Sequence, residues 1–246
     1  MKIRIFLIML AFGAVALAVA VVGFARSRGM SVSELAELGA GVVAARTSRH
    51  TIAERVEAII AKKPQLKAVA KSAGGKLRIL VFKIERMVEL HAPGWKSPRK
   101  YPMTAFSGTL GPKLREGDGQ IPEGIYGIGY LNPNSSYYLS LKVTYPNASD
   151  RARAKNDGRT KLGGDIMIHG KAVTIGCVPV GDDAIEDIFY LANAVGIKNV
   201  SVVIAPYDMR IGRKPELERS PLKWYPDLCK EIESALEDNS KTLRSK

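Results

Sequence analysis

Residues 164–179 read GDIMIHGKAVTIGCVP, and this stretch decides the fold. Ile166, Met167 and Ile168 form a short apolar run ending on His169-Gly170, which predicts a strand over 165–168 that delivers a histidine to its end. Eight residues after the histidine comes Gly176-Cys177, and a helical pattern follows in which Ile185, Ile188, Phe189, Ala192 and Val195 share one face. Asp183 three residues before Glu186 reads as a capping box for that helix, and Gly196 as its stop. A thiol attacks as its thiolate, and an imidazole nearby takes the proton. A glycine before the cysteine permits a tight turn that aims the amides of Gly176 and Cys177 at an oxyanion. The chemistry these residue types suit is acyl transfer. On spacing alone, an inert structural thiol or a Cys177–Cys229 disulfide is the commoner reading of such a cysteine.

Outward from this segment, Leu77–Phe82 and Ile84–Leu90 are apolar or β-branched runs that predict a pair of strands. Tyr138–Tyr145 alternates with period two, Leu139, Leu141, Val143 and Tyr145 on one face. A further strand is predicted at Val200–Ala205. Between them, glycines and prolines at Gly108, Gly111, Pro112, Gly117, Gly119, Pro122 and Gly124 punctuate a long loop. Lys113, Arg115, Asp118 and Glu123 in that loop are candidate contacts for a charged substrate, as are Gly170 and Tyr138, which starts the face opposite the leucines. The pattern predicts a mainly β domain with a few helices over residues 76–206, then a loop and a helix over 207–246.

Residues 5–25 carry no charge and are flanked by Lys2, Arg4, Arg26 and Arg28. At about 1.5 Å per residue this run spans a bilayer core, predicting a membrane anchor or a cleaved signal peptide, and hence export of the rest. Residues 26–75 are rich in Ala, Glu, Lys and Arg, and Ile52, Val56, Ile59 and Ile60 share a helical face, which predicts a basic helical stalk with a boundary near Gly75. The net charge of +13 is heaviest in this stretch. A nucleic-acid binder would put it on its folded domain, so nucleic acid is not an expected partner; an anionic surface is. Zinc chemistry needs ligand spacings such as CxxC or HExxH, and neither occurs, so no metal or other cofactor is expected.

Four further runs, SGTLGPKLREGDGQIPEGIYGI (107–128), NPNSSYYLSL (132–141), YPNASDRA (145–152) and IMIHG with IGC, carry a resemblance. Together they are similar to the L,D-transpeptidases with a YkuD-type catalytic domain, in the murein transpeptidase branch typified by YafK-type proteins. The resemblance implies a β-sandwich or barrel-like domain and a periplasmic cysteine acyltransferase, anchored to the inner membrane or secreted. Cys177 would form a thioester with a peptidoglycan stem peptide, His169 would be its base, and the Gly176 and Cys177 amides would form the oxyanion hole. The acceptor would be an amine, for cell-wall cross-linking or remodelling. The alternatives are water, for a hydrolase that releases a wall-attached lipoprotein, and a catalytically silent wall-binding module. The chain departs from the commonest family pattern by reading Thr174-Ile175-Gly176-Cys177 without a second histidine, by a short segment between His169 and Cys177, and by Val178-Pro179-Val180 where an arginine is often found.

Overall fold

A computed structural model describes residues 49–212 and 222–244 continuously, with a few isolated positions before them. The apolar run 5–25 lies outside the described residues, Gly23 apart, and among the described residues no helix is long and apolar enough to cross a membrane.

Two short helices come first, α1 (Ile52–Lys62) and α2 (Leu66–Lys71). Thr51 caps α1 through a box with Glu54, satisfying two backbone N–H groups at the helix start. Five strands follow: β1 (Leu77–Phe82), β2 (Met87–His91), β3 (Arg99–Pro102), β4 (Gly124–Ser135) and β5 (Tyr138–Val143). Then come α3 (Ala148–Asn156), β6 (Met167–His169), β7 (Val178–Pro179), α4 (Asp182–Val195), β8 (Val200–Ala205) and α5 (Tyr225–Arg244).

The strands form one eight-stranded sheet in the order β3-β2-β1-β8-β4-β5-β6-β7. Two neighbour pairs are parallel, β1 with β8 and β6 with β7, and the rest are antiparallel. The halves of the sheet meet on β4. Its first residues, Gly124–Gly127, pair with β8, and from Ile128 onward it pairs with β5. The register shifts between Ile128 and Tyr130, around Gly129, where an extra residue bends the strand. The mainly β expectation holds, with one sheet continuous through β4 that forms a half-barrel.

Both faces of the centre are covered. Leu77, Ile79 and Val81 of β1 and Val200, Val202 and Ile204 of β8 join a core with Ile59 of α1, Leu66 of α2 and Ile185, Ile188 and Phe189 of α4. Leu80, Phe82, Val203 and Ala205 face the other way and are sealed by Tyr225, Leu228, Ile232 and Leu236 of α5. Burial on both faces explains why LRILVF and VSVVIA are near-continuous apolar runs without alternation. Residues 52–71 are therefore packed onto the β domain through α4. Lys62 and Lys63 tie them to Glu186, Asp183 and Asp187 of α4. Those acids are thus spent on ion pairs. The cap of α4 is Gly181, with no side-chain bond, in place of the expected Asp183–Glu186 box; Gly196 ends the helix as expected.

Candidate active site

The short parallel pair β6 and β7 builds the centre of the site. Ile168 lies opposite Val178 and His169 opposite Pro179, so Cys177 enters the sheet directly beside the strand that carries the histidine. The Cys177 thiol contacts that strand: Met167 N–H donates to Sγ at 3.4 Å, and Sγ–H donates to the Asp165 carbonyl at 3.5 Å. Neither Cys177 nor Cys229 is in a disulfide. Burial pushes the Cys177 thiol up, opposed by the Met167 amide and by the ammonium groups of Lys142 and Lys113 and reinforced by the Asp165 carboxylate.

His169 is 1% exposed. Its Nδ1 lies 2.6 Å from the Gly170 carbonyl oxygen, which can only accept, so Nδ1 carries the proton and Nε2 is left as the basic nitrogen. Burial brings the imidazole down to about 4, against the pull of that carbonyl. The resting pair is therefore a neutral thiol and a neutral imidazole. The ring of Tyr137 lies on the histidine with centroids 4.4 Å apart, and burial and the charge of Cys177 raise its phenol.

Two hydroxyls hold the turn that carries Cys177. Thr174 Oγ1 accepts from Cys177 N–H at 2.9 Å and donates to the Cys177 carbonyl at 2.9 Å. Ser107 Oγ accepts from Gly176 N–H at 2.7 Å and donates to the Gly119 carbonyl at 2.8 Å. Both amides expected to form an oxyanion hole thus carry hydroxyl acceptors in this structure. Gly176 has φ +101, and a Cβ there would stand 2.9 Å from the Gln120 carbonyl oxygen. The position admits only glycine.

Several other expected site residues have different work. Lys113 is buried and donates to Asp118 at 2.6 Å and to the Arg115 carbonyl, while Asp118 also accepts from the amides of Leu114, Arg115 and Gln120. The pair staples the loop and is not presented to a substrate. Glu123 is buried and receives Lys83 Nζ at 2.8 Å and Tyr225 Oη at 2.7 Å. Gly170 allows close packing: a Cβ would meet Asp182 Oδ1 at 2.5 Å and the Tyr137 carbonyl oxygen at 2.7 Å. Its contribution is the carbonyl that fixes the histidine. Tyr138, with φ +76, turns toward α4, where its hydroxyl donates to Glu186 and Arg55 lies over its ring. Tyr137 holds the place on His169 instead.

Sequence reasoning missed Tyr137, Ser107, Thr174, Lys142 and Asp165. Only Thr174, three residues before Cys177, left a local signal, that of a hydroxyl positioned to bond a backbone amide in a turn. The volumes found elsewhere, a cavity of about 560 Å³ beside Trp95 and Tyr101 and one of about 420 Å³ beside Arg78 and His91, contain no residue of the Cys177 site. No group of three or more His, Cys, Asp or Glu side chains is placed to hold a metal among the described residues.

The chain is 34% identical over 144 residues to YafK of Escherichia coli (strain K12), a match that takes in 56% of each chain. The chain thus spans little more than half the length of the curated relatives it matches. Among solved structures it is similar to the helical cell shape determining protein Pgp2 of Campylobacter jejuni, at 19% identity and a TM-score of 0.42 over 71% of this chain and 78% of that one. It is similar also to Bd1075 of Bdellovibrio bacteriovorus, at 20% identity and a TM-score of 0.38 over 66% and 55%. The family profile described as the YkuD L,D-transpeptidase catalytic domain matches residues 76–204, more than half of the chain and all eight strands, and this protein belongs to that family.

Proposed function

We propose that the protein is a cysteine acyltransferase acting on peptidoglycan stem peptides at the cell wall, outside the inner membrane, with residues 5–25 as its anchor or signal. The observation that carries the reading is the hydrogen bond from His169 Nδ1 to the Gly170 carbonyl, which leaves Nε2 as a base beside the strand edge where Cys177 sits. When a stem peptide seats on Sγ, the thiol proton passes to His169 Nε2 and sulfur bonds to the carbonyl carbon. The amide C–N bond to the terminal residue then breaks, the imidazolium gives its proton to the leaving amine, and a thioester remains. An incoming amine attacks the thioester, His169 takes its proton and returns it to the Cys177 sulfur, and a new amide is released.

The Gly176 and Cys177 amides serve the tetrahedral oxyanion by exchanging acceptors. A charged oxygen makes a hydrogen bond about twice as strong as a neutral hydroxyl does, so it displaces Ser107 and Thr174 as charge develops. The exchange adds stabilisation in the transition state that the resting enzyme does not have.

The test is mass analysis of the purified full-length chain incubated with tetrapeptide muropeptides, comparing wild type, Cys177→Ala and His169→Gln. A thioester adduct and cross-linked products that vanish in Cys177→Ala are expected. Products bearing water instead would make the chain a hydrolase, including one that frees a wall-attached lipoprotein. Identical behaviour of wild type and Cys177→Ala would leave a silent binding module.

A further inference from the structure

Beside the sulfur stands an ion pair whose partners differ sharply in exposure. Lys142 Nζ of β5 lies 2.8 Å from Asp165 Oδ1; the lysine side chain is 17% exposed and the aspartate 93%. Asp165 is tied to the nucleophile through its main chain, since its carbonyl receives the Cys177 thiol hydrogen. It sits at φ +54, where a β-carbon is disfavoured and where glycine would hold the same carbonyl without strain. An exposed pair of this kind contributes only about 0–1 kcal/mol to stability. Aspartate tolerates this left-handed conformation better than most residues, but the fold gains little from its ion pair with Lys142. Both charges reach the reacting atom: the ammonium lowers the Cys177 thiol and the carboxylate raises it.

The other ion pairs around the site are differently made. Lys113–Asp118 is enclosed within its loop, and Lys171–Asp182 joins the residue after Gly170 to the start of α4 through both its side chain and its amide. Only Lys142–Asp165 has a carboxylate open to solvent, an ammonium anchored in the sheet and a main-chain contact to Sγ.

We propose that Lys142 and Asp165 form a subsite for a zwitterion, the adjoining ammonium and carboxylate of an amino-acid terminus carried on the acyl donor. The donor's carboxylate takes Lys142 Nζ and its ammonium takes the Asp165 carboxylate, so the pair opens by exchanging each partner for another of the same sign. A ligand with a single charge satisfies one partner and leaves the other without its counter-charge, and the less exposed Lys142 loses more by it than Asp165 does. This inference rests on the acyl-transfer reading. In a stem peptide the matching group is a diaminopimelate side chain, whose far end bears both charges; a lysine at the same place bears only the ammonium.

The experiment measures kcat/KM of the full-length chain on three tetrapeptides: one with diaminopimelate, one with lysine, and one with the diaminopimelate side-chain amine acetylated. Wild type is expected to favour the zwitterion over each of the others by a factor on the order of ten. Lys142→Met should erase the preference over lysine, Asp165→Asn the preference over the acetylated peptide, and Lys142→Arg should keep both. Variants that lower all three rates by one common factor would overturn the proposal and leave the pair a structural contact. Calorimetric titration of Cys177→Ala with the same peptides separates this question from the chemistry. If wild type turns over none of them, the acyl-transfer reading fails, and the Kd values still decide the subsite: a preference for the zwitterion supports it and equal affinities refute it.

Discussion

Ser107 Oγ lies 2.7 Å from the amide nitrogen of Gly176, joining the long loop before β4 to the turn that carries Cys177. The same hydroxyl donates to the Gly119 carbonyl, and the Gln120 backbone abuts Gly176 from the same side. The turn is therefore shaped by a loop far away in sequence. Replacing Ser107 by Ala leaves the Gly176 N–H without its acceptor and should cost about 1–3 kcal/mol, read as a shift of the denaturant midpoint at unchanged slope. Thiol alkylation at Cys177 should change in the same variant, whereas Cys229, on α5, should label as before.

Gly176→Ala is expected to be the most damaging single-atom-scale change in the site. It places a Cβ 2.9 Å from a backbone oxygen and in a backbone region that L-residues avoid, at a combined cost of roughly 1–3 kcal/mol or more. Loss of thioester formation with the fold retained, checked by circular dichroism and mass analysis, is the expected outcome. An active Gly176→Ala enzyme would show that the turn is not held as described.

The buried histidine makes stability depend on pH in a defined direction. His169 is held at about 4 in the folded chain, against an ordinary value of about 6.5 when unfolded. Between those values the unfolded chain binds a proton that the folded one does not. The contribution is therefore complete above about pH 6.5 and is lost as pH falls toward 4, by about 3 kcal/mol in total. Urea unfolding of wild type and His169→Gln across this window should show the difference between the two curves closing as the pH drops. The acid limb of kcat/KM should fall near pH 4, well below that of a solvent-exposed histidine.

Lys83 and Glu123 test the anchoring of the loop. Both side chains are fully buried, and Lys83 Nζ also bonds the carbonyls of Gly111 and Ile121. Lys83→Met strands the carboxylate and should destabilise the fold by about 3–5 kcal/mol. Adding Glu123→Gln should recover part of that loss, a non-additivity that a double-mutant cycle measures directly.

Much of the centre was readable in the sequence because its residues obey one rule at a time. Strands β1 and β8 are apolar runs buried on both faces, and Leu139, Leu141 and Val143 of β5 lie buried as their alternation predicts. The helix α4 begins two residues before its predicted start. Strand β4 was hidden because GIYGIGYLNPNS mixes glycines and a proline with apolar residues; it serves two partners and carries a bulge. Strands β3 and β7, RKYP and VP, are edge pieces too short to show a period. Helix α3, ASDRARAKN, has almost no apolar face, and its Asn147–Asp150 box is the one clue to it. In the site, Cys177 and His169 stood out as residue types, but the turn of Tyr138 toward α4 goes with its positive φ, which alternation does not foresee.

The parallel pairing of β1 with β8 also governs when the fold can form. Leu77 finds its partner in Val200, and the outer face of both strands waits for α5, which follows β8 in sequence. Once β2 is made it pairs one edge of LRILVF, but the other edge and the α5-facing side stay open until β8 and α5 are made. Closing such distant contacts is slow, and a segment of this kind is prone to pair with its counterpart in another molecule meanwhile. Truncation before Tyr225 should accordingly yield insoluble material in place of a smaller folded domain, because α5 is the seal over that apolar face.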